Sequence, residues 1–146
     1  MINEKQLNTA LKVILDKIGG ENILWRLEGS ANLFVQEMKV NVNDLDLTTT
    51  KDGYLKFKSA LKEFFVNEEY ILEKKIQSAT YDLGGVETEI LYYENNELNM
   101  FDQVKIISWH NLKIPILPLK FALKFYQLIK RENKVELIKR FIEKND

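Results

Sequence analysis

The sequence predicts a mixed α/β (α+β) domain, a small mixed sheet covered by helices and followed by two C-terminal helices. Three observations predict it. Apolar residues recur at three-four spacing near both ends of the chain, short β-like runs fill the middle, and 146 residues suffice for one core. On this size we expect a single domain over residues 1–146.

The elements follow in order. Leu7, Leu11, Ile14, Leu15 and Ile18 predict an amphipathic packing helix over 3–18, stopped by Gly19 and Gly20. Ile23 to Leu27 begins a strand over 23–28, with Trp25 in the core. Gly29 and Ser30 then hand over to a short helix over 31–37, with Leu33 and Phe34 inward. A loop over 39–43 leads into a strand over 44–49. Thr48, Thr49 and Thr50 can cap the next helix, whose apolar face of Tyr54, Phe57, Leu61, Phe64 and Phe65 carries it to Val66.

Strands over 70–80 and 86–93 are joined by a turn at Asp82 to Gly85. After a polar loop over 95–102, a hairpin pairs 104–109 with 112–117. It turns at a surface His110 and Asn111, and Pro115 marks an edge strand. Pro118 opens a helix to residue 130. A last helix over 133–144 places Val135, Ile138, Phe141 and Ile142 inward.

Composition narrows the chemistry. With 45% apolar and 29% charged residues the chain is ordinary and globular. The net charge of −1 steers no partner, but residues 1–117 carry 13 Lys or Arg against 18 Asp or Glu, and residues 118–146 carry 8 against 4. The body is acidic and the tail basic. The absence of cysteine excludes disulfides, thiolate zinc and thiol nucleophiles, and a single histidine excludes imidazole-rich metal centres. The plentiful ligands are oxygens, which suit Mg2+ or Mn2+. No apolar run reaches the length of a membrane span, and Met1 to Gln6 is too polar for a signal peptide. A cytoplasmic protein away from the membrane is therefore expected.

Two short motifs carry the functional reading. Gly29 and Ser30 sit where a strand passes into a helix, where freed N–H groups and a missing side chain let a phosphate approach the main chain. Asp44 and Asp46 are one residue apart on a strand, so both carboxylates project from one face and call for a cation. A later strand presents Glu87 and Glu89 on one face, and either would complete a carboxylate set for phosphoryl chemistry. Lys120, Lys124 and Arg131 form a stripe, read either as a solvated face or as a nucleotide contact. Arg26 would reach a phosphate or pair with a neighbouring acid, and Tyr126 would pack or line the site.

In this order, Gly29, Ser30, Asp44, Leu45, Asp46, Leu47 and Glu89, the chain resembles small single-domain nucleotidyltransferases of the DNA polymerase beta superfamily. The likeness extends through Leu112 to Leu119 and Arg131 to Lys134. It implies a nucleotidyltransferase-like mixed sheet in which Asp44, Asp46 and Glu89 bind two Mg2+ (or Mn2+) ions. Gly29 and Ser30 would hold the phosphates of a nucleoside triphosphate, with Lys120 and Lys124 near the nucleotide. A nucleoside monophosphate would move to an acceptor hydroxyl on a small molecule, a protein or an RNA end. The alternative is a catalytically silent domain of this fold that binds nucleotide or a partner protein, as in a toxin–antitoxin pair. A homodimer is compatible with either.

Overall fold

The computed structural model describes residues 1–145. Its first helix, α1 (Glu4–Ile18), starts at Asn3, whose side chain accepts from the Gln6 N–H while the Gln6 side chain accepts from the Asn3 N–H. This reciprocal cap satisfies two donors that a helix start leaves free. Leu7, Leu11, Ile14 and Ile18 are buried on the face that the spacing predicts.

Strands β1 (Trp25–Glu28), β2 (Leu45–Thr49), β3 (Phe65–Ile71), β4 (Ile76–Leu83) and β5 (Val86–Tyr93) form one mixed sheet in the order β1-β2-β5-β4-β3. Strands β2 and β5 run parallel, and the other neighbours are antiparallel. Alternation divides the side chains between two faces. Trp25, Leu27, Leu45, Leu47 and Ile90 enter a core shared with α1 and α3 (Lys51–Ala60), where Trp25 meets Phe57 edge to face at 6.2 Å. The opposite face carries Arg26, Glu28, Asp46, Thr48, Glu89, Leu91 and Tyr93. A second core covers only part of it, where Leu91 and Tyr93 pack with Ala122, Phe125 and Tyr126 of α4 (Leu119–Leu128) and Ile138 of α5 (Glu132–Lys144). The uncovered part holds the acids.

A separate hairpin, β6 (Lys105–Trp109) with β7 (Leu112–Ile116), turns at His110 and Asn111, which have φ of 48° and 66°. Such left-handed pairs match the twist of the flanking strands. The His110 ring pairs with Glu4 at 3.0 Å on the surface. Among the described residues no helix is long and apolar enough to cross a membrane.

Several boundaries differ from expectation. The third helix stops at Ala60 rather than continuing to Val66, and a 3-10 turn over Lys62–Phe64 leads directly into β3. Phe65 and Val66 prefer a pleated strand, and Phe65 gains Tyr81 of β4 as a cross-strand partner at 5.9 Å. The strand expected over 70–80 is in fact two, because a turn at 72–75 separates β3 from β4. Apolar residues on both sides of that turn disguise it. The short helix is α2 (Gly29–Phe34), beginning at the glycine itself, and Asp44 lies just before β2 rather than within it. Thr50 alone caps α3, through the Gly53 N–H at 2.9 Å, while Thr48 and Thr49 belong to the strand.

Candidate active site

Register across the sheet sets Glu28 opposite Asp46, and Asp46 opposite Glu89. Opposed residues share a face, so three adjacent strands present a row of carboxylates with Asp46 in the centre. Asp46 is partly buried. Burial, then the charges of Asp44, Glu28, Glu89 and Glu87, push its carboxyl from 3.8 up to about 8. Burial also raises Glu89, against the opposing pull of a hydrogen bond from the Ser78 hydroxyl at 2.8 Å. Glu87 is exposed at the margin.

Gly29 is built into this row. Its φ of +66° lies in the left-handed region, and a Cβ there would stand 2.7 Å from Asp46 Oδ2. The backbone conformation favours glycine, and any side chain there would push the Asp46 carboxylate aside. The handover from β1 to α2 therefore places main chain directly against the central carboxylate. Ser30 follows, with the Lys134 ammonium 3.4 Å from its hydroxyl. Burial and the neighbouring Arg131 lower the Lys134 ammonium, while Asp46 pulls the other way. These two cations arrive from the junction of α4 and α5.

The row opens into a cleft of about 520 Å3, a volume typical of small-molecule sites. Glu28, Gly29, Asp46 and Glu89 form its acidic end, Leu91, Phe125, Tyr126 and Ile129 its apolar wall, and Lys74 and Arg131 its basic rim. The Tyr126 hydroxyl is raised by burial and then by the Glu28 charge, so it stays neutral.

The structure brings together Gly29, Ser30, Asp44, Asp46 and Glu89, but not Lys120 or Lys124. The Lys120 ammonium lies over its neighbour Phe121, and Lys124 borders a different hollow with Asn96, Glu97 and Met100. Of that stripe Arg131 alone lines the cleft, and Lys134, Lys74 and the buried Arg26 are the other cations near the acids. A four-residue period on one helix marks a stripe without saying which way it faces: α4 leaves Lys120 and Lys124 exposed, while Arg131, beyond its end, reaches the cleft.

Sequence reasoning also passes over Glu28, Lys74 and Tyr93 as site residues. The signal for Glu28 is its distance along β1 from the turn, which pairing with β2 converts into a position beside Asp46. Of the two options open for Arg26, pairing with an acid is the one realised: Nη2 lies 3.6 Å from Glu28 Oε1.

No protein-family model and no curated protein sequence matches the chain. Solved structures do. A candidate nucleotidyltransferase from Thermotoga maritima superposes with a TM-score of 0.76 at 22% identity, covering 99% of this chain and 96% of that one. The lincosamide antibiotic adenylyltransferase LnuA, solved with lincomycin bound, gives 0.62 at 16% identity over 94% and 97% of the two chains. The antibiotic-resistance factor ANT(2'')-Ia in solution gives 0.68 at 10% identity over 96% and 86%. At these identities the likeness is one of architecture, and the chain has the nucleotidyltransferase fold.

Proposed function

We propose that this protein is a metal-dependent nucleotidyltransferase that moves a nucleoside monophosphate from a nucleoside triphosphate to an acceptor hydroxyl. One observation carries the reading: the glycine of the phosphate-type turn lies in contact distance of the central carboxylate, so phosphate and acid would meet at one point. The fold shared with nucleotidyltransferases supports it.

The residues fit a divalent cation in chemistry. All donors are oxygens, and burial, then the neighbouring acids, push the Asp46 carboxyl up to about 8, a rise that a bound positive charge would oppose. Among the described residues no three such side chains are gathered closely enough to hold an ion alone. Mg2+ and Mn2+ do not need that, since one or two carboxylates plus substrate phosphates suffice. Asp44 and Asp46 would hold the ion, with Glu89 as the third carboxylate expected from the sequence. Bound there, the ion would offset phosphate charge and acidify the acceptor hydroxyl, a second ion arriving with the triphosphate.

The chain's own residues account for the remaining tasks. Gly29 leaves room for the phosphates at the main chain, and Ser30, Lys134 and Arg131 bind the β and γ groups. The apolar wall of the cleft excludes water from the reacting centre. The acceptor oxygen attacks the α-phosphorus in line while the bond to pyrophosphate breaks. The hydroxyl proton passes to a carboxylate of the row.

The test is incubation with each of the four nucleoside triphosphates and Mg2+ or Mn2+, following pyrophosphate release and mass gain on added alcohols, protein and RNA. Release with adduct formation is expected. Tight nucleotide binding without release would favour the silent, binding-only domain. Two further outcomes follow. The ion must displace a proton from Asp46, so Mn2+ affinity should rise about tenfold per pH unit below pH 8 and level off above it. A flat calorimetric profile from pH 6 to 9 would refute the role given to Asp46.

Lys134→Ala removes a charge-assisted phosphate contact of about 1.5–3 kcal/mol, so KM for the triphosphate should rise roughly 10–100-fold. Lys124→Ala, away from the cleft, should leave KM within about twofold of the parent, as surface charges do. Equal effects of the two would remove Lys134 from the site.

A further inference from the structure

Tyr126 is only 5% exposed, yet it lines the cleft, and no step of the proposed reaction uses its hydroxyl. A buried tyrosine hydroxyl ordinarily finds a hydrogen-bond partner. Those of Tyr54, Tyr70 and Tyr93 donate to Glu68, Glu94 and Glu28. Among the described residues none bonds to the hydroxyl of Tyr126, whose surroundings are instead the charges of Glu28, Arg131, Asp46 and Arg26. The Tyr81 hydroxyl is also unpaired, but it is sealed in the core, whereas Tyr126 opens on the cleft.

The place of Tyr126 in the cleft indicates what it would meet. On one side stand Gly29, Asp46 and Arg131, where the phosphates are assigned, and on the other Leu91, Phe125 and Ile129 form the apolar wall. The Tyr126 ring belongs to that wall, edge to face with Phe125 at 5.5 Å, while its hydroxyl lies in the field of the charged end. A nucleotide carries its groups in the same order: charged phosphates, a sugar with hydroxyls, then a flat base with apolar faces. The group at the boundary is the sugar.

A neutral tyrosine hydroxyl both donates and accepts, as a sugar hydroxyl does, so each can satisfy the other. A phosphate oxygen only accepts, and Arg131 and Lys134 already supply charged donors for it. We propose that Tyr126 is a specificity-determining residue that hydrogen-bonds a ribose hydroxyl of the nucleoside triphosphate, so that the cleft prefers nucleotides carrying that hydroxyl to their deoxy forms. This rests on the nucleotidyltransferase reading of the site. It adds the class of nucleotide to that reading, and it gives a task to a hydroxyl that the fold itself leaves unused.

The experiment is a calorimetric titration of the full chain, parent and Tyr126→Phe, in Mg2+, first with ATP, GTP, CTP and UTP and then with the 2′-deoxy and 3′-deoxy forms of the tightest binder. Thermal melting of both proteins without nucleotide accompanies it. The parent should bind one of the two deoxy forms about 5–30-fold more weakly than the ribonucleotide. Tyr126→Phe should weaken the ribonucleotide by about the same factor and bind that deoxy form within about twofold of the parent, since both partners of the bond are then already gone. Phenylalanine keeps the ring and its contact with Phe125, so the melting temperature without nucleotide should not fall.

The proposal is overturned if Tyr126→Phe binds the ribonucleotide as tightly as the parent, or if it weakens all three forms equally, as loss of a phosphate contact would. A variant that melts lower without nucleotide overturns it too, because its hydroxyl would then already serve the fold. Should Tyr126→Phe fail to fold, the parent decides alone: equal affinity for the ribonucleotide and both deoxy forms overturns the proposal. A parent that binds no nucleotide overturns it together with the transfer reading. A parent that binds nucleotide but releases no pyrophosphate refutes the transfer reaction only, and the titration still decides the role of Tyr126.

Discussion

Asp46→Asn should abolish the proposed nucleotidyl transfer while leaving the protein folded. Asparagine keeps the shape of the side chain but removes the charge at the centre of the row, where Glu28 and Glu89 flank it in register. A loss on the order of 10³-fold in kcat/KM, about 4 kcal/mol of transition-state stabilisation, is expected. The stability change has the opposite sign. The folded carboxyl titrates at about 8 against an ordinary 3.8, so the folded state holds a proton that the unfolded chain has released.

That contribution to stability is fully present below pH 4 and is lost as pH rises through 8. Without a cation, Asp46→Asn should therefore match the parent near pH 4 and melt at a higher temperature than the parent at pH 9. Mg2+ should narrow the gap at pH 9 by stabilising only the parent. Melting curves in chelator and in Mg2+ at both pH values check this. An active variant, or one that melts lower than the parent at pH 9 in chelator, would contradict the site.

Gly29→Ala carries the second large effect, through geometry rather than charge. At φ +66° an alanine costs about 1–2 kcal/mol, roughly 2–8 °C in melting temperature for a chain of this length. Its Cβ would also stand 2.7 Å from Asp46 Oδ2 and force that carboxylate aside. A displacement of about 1 Å at a reacting centre costs on the order of 10²-fold in rate. If the loss runs through Asp46, Gly29→Ala should cost little further activity in an Asp46→Asn background, since two changes to one unit do not add. Full activity in Gly29→Ala at a temperature where it is folded would show that the contact has no part in turnover.

Local rules made much of the fold legible. Apolar spacing marked α1 and α5, Pro118 and Thr50 marked helix starts, and the His110–Asn111 pair marked a hairpin turn. Errors gathered where apolar residues stand on both sides of a short charged break. Leu61 to Val66 satisfies a helical period as readily as a strand, and only the partner Tyr81 on β4 makes the strand the better use of Phe65. The turn at 72–75 was hidden by Leu72 and the apolar residues on either side of it.

The site divides in the same way. Sequence alone named the residues proposed for phosphate and cation chemistry: a Gly-Ser junction, Asp-Leu-Asp, and oxygens as the plentiful ligands. Those relations span only one or two residues, so they are local in the chain, even though Asp44 lies just before β2. Only the tertiary structure decided which acid stands on each side of Asp46 and which cations reach Ser30. Glu28 enters through pairing between β1 and β2, and Lys134 is brought back to Ser30 by α5. Neither relation has a period in the chain. Each depends on register and on helix placement, which packing sets over the whole core at once.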